Sequence, residues 1–199
     1  MDNDWKGDRR ALRTRLIAAR EAMNDSTFER CSTAIAGFLA RVVPLCSPRL
    51  LGFYWPHRRE YDAVPIAREL VANGGAAALP VVLGKGRPLE FRRWWPDIEM
   101  ASGVYGIPYP AVGEAVFADV LLAPMVGFDN AGYRLGYGGG YYDRTLAADG
   151  QRPTVIGIGF EICRLDTIAP RQHDIPMDMI VTEAGIFRRE NAALSTLTL

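Results

Sequence analysis

Histidine and cysteine are scarce in this chain: His57 and His173, and Cys31, Cys46 and Cys163, in 199 residues. No two cysteines stand in CxxC spacing, so neither a zinc site nor a disulfide framework is expected. A reducing compartment, the cytoplasm, is the simplest expectation. Net charge is missing too. The 23 lysines and arginines are balanced by 23 aspartates and glutamates, which excludes a protein that coats nucleic acid or anionic membrane over its whole surface and leaves only local patches. Long apolar runs are also lacking: residues 120–126, one of the longest, fall far short of the ~20 that a spanning helix needs. The charged opening MDNDWKGDRR is followed by none of the apolar stretch that marks a signal peptide.

What is present is an ordinary globular composition, 49% hydrophobic and 23% charged, long enough to bury a core without staples. No repeat, low-complexity segment or long linker divides residues 1–199, which are read as a single domain. Leu12, Leu16, Ala19 and Met23 recur at helical spacing within residues 5–23. Ser26 and Glu29 then have the form of a capping box opening a second helix, which Pro44 ends. Strands are expected at 50–55, 76–83, 89–94, 119–126, 154–160 and 179–182, with helices at 62–72 and from Tyr141 to Gly150. Strands separated by helices predict an α/β class: a three-layer α/β/α domain with a largely parallel sheet flanked by helices.

The most unusual segment is RLGYGGGYYD, residues 134–143, in which four of the five positions 136–140 are glycine. Backbone without Cβ turns sharply and brings its N–H groups against a bulky anion, and a helix following the loop adds unpaired donors. Arg134 at the entrance suits a phosphate oxygen. Asp143, in the first helical turn, suits a magnesium ion held against the same phosphates. The segment is neither a Walker A loop, since Tyr141 follows Gly140, nor a GxGxxG fingerprint, whose third glycine would fall on Tyr141. A glycine cluster alone reads equally as a tight, closely packed turn. Its flanking charges and strand-to-helix context favour phosphate.

Residues 134–143 closely resemble the signature of the 5-formyltetrahydrofolate cyclo-ligase family, the methenyltetrahydrofolate synthetases. The similarity extends to APMVGFD (123–129) ahead of it, HDIPMD (173–178) with Val181-Thr182-Glu183 behind it, Gly106-Ile107-Pro108, residues 91–94 and the opening RRALR (9–13). The resemblance implies an ATP- and magnesium-dependent ring closure of 5-formyltetrahydrofolate by a monomer that binds neither nucleic acid nor membrane. It implies ATP contacts from Arg9 and Arg13 and from Arg134, Leu135, Gly136, Tyr137, Gly138, Gly139, Gly140, Tyr141 and Tyr142, with Arg134 and Tyr141 as catalytic candidates. For the folate it implies Trp55, Glu60 and residues 137–141, and for magnesium Asp143 and Asp178.

Without the resemblance, Glu60 reads as a solvated loop charge, Trp55 as core packing, and Arg9 and Arg13 as part of a solvated basic face with Arg10, Arg15 and Arg20. Two departures stand out: Arg9 where the family has lysine, and Tyr109 where it often has glutamate, to which no role is assigned. Arg92 and Arg93 are candidates for the folate's glutamate tail, and Tyr105 for stacking on the pterin. A same-fold enzyme acting on another formylated or phosphorylated small molecule, and a catalytically silent nucleotide- or folate-binding module, are the alternatives.

Overall fold

A computed structural model describes residues 8–148, 150 and 152–198. Helices α1 (Arg9–Glu21) and α2 (Asp25–Leu45) lead into β1 (Leu51–Gly52), α3 (Val64–Ala72), β2 (Ala77–Val82) and β3 (Leu89–Trp94). A small hairpin, β4 (Met100–Ser102) and β5 (Pro108–Pro110), is followed by β6 (Ala115–Val116), β7 (Val120–Pro124), β8 (Gly127–Asp129) and β9 (Arg134–Leu135). Helix α4 (Tyr141–Ala147), β10 (Thr154–Ile158), β11 (Arg164–Leu165), β12 (Met179–Thr182), β13 (Gly185–Glu190) and β14 (Ala193–Thr196) complete the order.

Nine strands form one sheet, ordered β14-β13-β12-β10-β7-β1-β2-β3-β6. From β12 to β2 neighbours run parallel; both flanks, β13 with β14 and β3 with β6, are antiparallel. This is an α/β fold built on a large, mostly parallel sheet. Side chains alternate between its faces. Leu51, Leu79, Val120, Leu122, Ile156, Ile158 and Val181 pack with Ile35, Leu39 and Val42 of α2 and Ala67 of α3. Ala78, Leu121, Ala123, Val155 and Ile180 pack on the other face with Met125, Phe128, Met177 and, from α4, Leu146. Helical cover is thus uneven, two full helices on one face and a seven-residue helix with irregular segments on the other.

Several local readings change: the strand expected at 50–55 is reduced to Leu51–Gly52, and the helix expected to run to Gly150 ends at Ala147. The cap of α2 is Asn24, whose side chain accepts from Thr27 N at 2.8 Å, while the Ser26 hydroxyl bonds Asn24 in turn. Asparagine caps as well as serine, so the helix starts two residues early and the expected capping box does not form. Pro44 lies inside the last turn of α2, whose end comes one residue later at Leu45. The first helix starts at Arg9, with the Asp8 carboxylate accepting from Arg10 N and Ala11 N; the expected start at residues 5–7 lies outside the described residues.

Helix α1 stands apart from the main sheet. Leu12, Leu16 and Ile17 pack on Val126, Leu135, Cys163, Leu165 and Ile168, over a three-stranded sheet ordered β11-β8-β9. The approach is close: a Cβ on Gly127 would stand 2.6 Å from Leu16 Cδ1 and 3.0 Å from the Cys163 carbonyl oxygen. We predict that Gly127→Ala destabilises the protein by about 1–3 kcal/mol through overpacking. Thermal or denaturant unfolding reads this, and an unchanged midpoint would contradict the close approach.

Candidate active site

The glycine loop follows β9 and is gripped from outside. Packing of α1 carries Arg13 to the loop, where its Nε donates to the Gly136 carbonyl at 2.7 Å. A Cβ on Gly138, whose φ is +98°, would meet Arg13 Cζ at 3.2 Å, so a side chain there is excluded by conformation and by space. From α4, Arg144 reaches back to the Gly139 carbonyl at 2.5 Å and lies over the Tyr141 ring at 5.3 Å. Gly140, at φ 66°, is the N-cap and leaves the first helical turn without a side-chain cap. Burial, Arg9 and Arg171 all lower the pKa of Arg13, with Asp174 and Asp8 opposing: local positive charge is in excess.

Arg134 is buried, with Nη2 at 3.3 Å from Asp143 Oδ2 and its guanidinium 4.9 Å from the Tyr142 ring centre. Burial lowers the pKa of Arg134, Asp143 opposing, and pushes the Tyr142 phenol well above its ordinary value. Arg134 Nε and Tyr142 Oη are buried with no hydrogen-bond partner among the described residues. Unpaired buried polar atoms are rare and call for an account; beside a loop that opens a helix without a side-chain cap, a polar ligand would supply one. Leu135 is a core side chain at 1% exposure. A cavity of 300 Å³ opens here, lined by Gly138, Gly139, Gly140, Asp143, Arg144, Ala147 and His173.

Glu60 meets the loop from the other side. Arg58 and Arg59 both adopt left-handed backbone, with φ of 49° and 60°, and turn the chain so that Glu60 points inward at 6% exposure. The solvated reading of Glu60 is therefore overturned. Its Oε2 accepts from His57 N at 2.9 Å, its Oε1 accepts from the Tyr137 hydroxyl at 2.8 Å, and Arg20 Nη2 stands 3.9 Å away. Burial raises the pKa of Glu60, partly countered by Arg20, Tyr137 and the His57 amide. Tyr105, 78% exposed, and Tyr137 flank His57 at ring distances of 6.5 and 5.8 Å, an aromatic border on which a flat heterocycle can stack. Trp55 is half-buried and packs against the core under α2 and α3. Arg92 is engaged by Glu90 and the Pro110 carbonyl.

The structure brings together Arg13, Arg134, Tyr137, Gly138, Gly139, Gly140, Tyr141, Tyr142, Asp143 and Glu60. It does not bring Asp178 to them. Asp178 lines a different cavity, of 540 Å³, with Cys46, Arg152 and Arg188, and its oxygens accept from Arg152 at 2.8 Å and from Val155 N at 2.8 Å. The reason is topological: Asp178 precedes β12, whereas the glycine loop follows the strand ends of β7 to β9. The carboxylate that reaches α1 is Asp174, which the sequence reading passed over; it pairs with Arg9, whose guanidinium also donates to the Ile168 and Ala169 carbonyls. The expected metal pair is corrected accordingly. Among the described residues no cluster of three potential ligands exists. Asp143 alone, partly accessible beside the glycines, fits a magnesium ion that arrives with phosphates and keeps most of its coordination outside the protein.

Residues 5–183 match the 5-formyltetrahydrofolate cyclo-ligase family. The chain belongs to that family. A 5-formyltetrahydrofolate cyclo-ligase of Mycolicibacterium smegmatis is 30% identical over 182 residues, covering 86% of this chain and 91% of the relative. The Escherichia coli K12 cyclo-ligase is 29% identical over 136 residues, 64% of this chain and 74% of that one. Among solved structures, the Aquifex aeolicus 5,10-methenyltetrahydrofolate synthetase superposes with a TM-score of 0.79 at 27% identity, covering 96% of this chain and 95% of that chain. A Mycoplasma pneumoniae synthetase follows at 0.71 and 25%, covering 88% and 99%. Family members are ligases, and the chain is an enzyme of this family. No described helix is long and apolar enough to cross a membrane.

The Arg9–Asp174 pair generates a pH prediction. Burial alone would raise the Asp174 pKa, but Arg9 and the Arg171 amide outweigh it and hold the carboxyl below its ordinary value. A depressed folded pKa contributes stability that is present above the unfolded value and is lost as pH falls through the folded one. Asp174→Asn should lower Tm by about 2–6 °C at pH 7, with the gap to the parent protein narrowing as pH falls below about 4. A gap independent of pH would contradict the assignment.

Proposed function

We propose that the enzyme closes 5-formyltetrahydrofolate to 5,10-methenyltetrahydrofolate with conversion of ATP to ADP and phosphate, acting as a monomer. One observation supports this reading above the others: a phosphate-suited glycine loop and a buried carboxylate, Glu60, are bridged by a single side chain, Tyr137. A formylated pterin held at Glu60 would then lie beside the terminal phosphate of a nucleotide held on the loop.

An amide-like formyl oxygen is a poor leaving group. In the proposed sequence it takes the γ-phosphoryl group, N10 attacks the activated carbon, N10 gives up its proton, and phosphate departs with the former formyl oxygen. Phosphoryl transfer asks the protein for alignment and charge neutralisation more than for covalent help. The loop amides and Arg13 hold the phosphate chain. Arg134, buried and carrying an unpaired Nε, meets the group in transfer, where low dielectric strengthens its pull. Tyr141, held under Arg144, closes the loop side of the pocket. Glu60 accepts N–H donors of the pterin edge. Magnesium, held by Asp143 and phosphate oxygens, would supply further charge neutralisation.

A coupled assay with ATP, magnesium and 5-formyltetrahydrofolate tests the reading: methenyl absorbance should rise with ADP, and ATP hydrolysis indifferent to the folate would defeat it. Asp143→Asn should lower kcat by about 10²-fold or more while the fold is kept; Asp178→Asn should leave kcat within about threefold. The reverse ranking would return Asp178 to the metal site. Glu60→Gln should raise the folate KM about tenfold or more, and the ATP KM far less.

A further inference from the structure

We propose that Arg20 is a positioning residue for the reaction, fixing the Tyr137 hydroxyl against Glu60 and so tying the glycine loop to the folate-binding carboxylate. The inference rests on the folate reading of Glu60 given above and deepens it. Arg20 is 2% exposed and is the largest of the fully buried side chains. It lies in line with Leu12 and Leu16 on α1, four residues apart each time. Its three guanidinium nitrogens serve three segments: Nε donates to the Arg58 carbonyl at 3.0 Å, Nη1 to the Met125 carbonyl at 3.0 Å, and Nη2 to Tyr137 Oη at 2.7 Å.

Holding two carbonyls does not require a cation, and burying one is unfavourable unless it is paired. Glu60, 3.9 Å from Nη2, is the carboxylate it faces. The bridge between them is directional. A phenol has a single hydrogen; with Nη2–H pointed at its oxygen, Tyr137 directs that hydrogen to Glu60 Oε1 at 2.8 Å rather than to the His57 carbonyl at 3.4 Å. The other Glu60 oxygen is fixed by the His57 amide. The remaining groups that interact with Glu60 are the Tyr54 and Tyr142 phenols, which belong to β1's exit and to α4, and both are themselves pushed up by burial. Arg20 is thus the cation that opposes the rise burial imposes on the Glu60 pKa and, through Tyr137, orients the carboxylate, while its other two bonds lock the segments that carry Glu60 and lead into the loop.

The test combines kinetics with unfolding. Arg20→Gln should raise the folate KM about tenfold or more with the ATP KM within about threefold, and should move the acid limb of kcat/KM for the folate to higher pH. Arg20→Lys should restore the acid limb while recovering the KM only in part. Tyr137→Phe should raise the folate KM and move the limb in the same direction; combined with Arg20→Gln, it should do no further damage beyond about twofold, because both remove one bridge. A lowered Tm with unchanged KM values and an unmoved limb would show a purely structural arginine and overturn the proposal, as would additive effects in the double variant. If Arg20→Gln does not fold, Tyr137→Phe decides alone: an unmoved limb overturns the proposal. Should the parent enzyme turn over no 5-formyltetrahydrofolate, the folate reading and the role of Arg20 fall together; an active parent with an indifferent Arg20→Gln removes only Arg20.

Discussion

A glycine-rich loop loses more conformational freedom on ordering than other sequences do, so the shape of residues 136–140 depends on the cations that grip it. Arg13 holds the Gly136 carbonyl, Arg144 the Gly139 carbonyl, and Arg20 the Tyr137 hydroxyl. Two of these three come from α1. That helix is itself held by apolar packing on the small β11-β8-β9 sheet, through the close approach at Gly127. The chain of dependence runs from a close helix-to-sheet contact at a glycine, through arginines projecting from the helix, to a loop that leads into a helix without a side-chain cap.

Charge neutrality over the whole chain hides this arrangement. Burial, Arg9 and Arg171 lower the pKa of Arg13 beside the loop, and Asp174 and Asp8 oppose them. Such an excess is unfavourable in the free protein and is relieved by an anion. Across the Tyr137 bridge the sign reverses: Glu60 is buried among phenols, with Arg20 as its cation. Neighbouring regions of opposite sign, joined by the Tyr137 bridge, suit a reaction that brings a polyphosphate against a donor-rich heterocycle.

Much of the frame was legible. Strands at 89–94, read from alternating character, and at 179–182 fall where they were expected, and the glycine loop reads directly as a strand-to-helix turn. The β13–β14 hairpin was not legible, because its turn places Asn191 and Ala192 at φ of 48° and 65°. A primed turn normally announces itself with glycine, and alanine carries no such signal. Arg20 was hidden by composition. Among several arginines on α1 it looked like one more solvated charge, yet its spacing from Leu12 and Leu16 put it on the buried stripe, and a charge in register with such a stripe is the signal that could have singled it out. Asp174 and Asp178 were not separable by spacing, since both sit in one HDIPMD run. Only the turn preceding β12 sends the first to Arg9 and the second to Arg152.

Cavity size alone does not single out the cavity better suited to a polar ligand. The 540 Å³ concavity is larger, but its charges are already matched: Arg152 pairs with Asp178 and the Pro176 carbonyl, and Arg188 with Glu190. Paired groups gain little from a ligand, which would have to break those bonds before forming its own. At the 300 Å³ cavity the balance is opposite. Among the described residues, the first helical turn stands without a side-chain cap, Arg134 Nε and Tyr142 Oη are buried without partners, and Asp143 accepts over two contacts of 3.3 Å. A polar ligand at the smaller cavity would meet an uncapped helix start and a carboxylate without first having to break a matched ion pair of its lining.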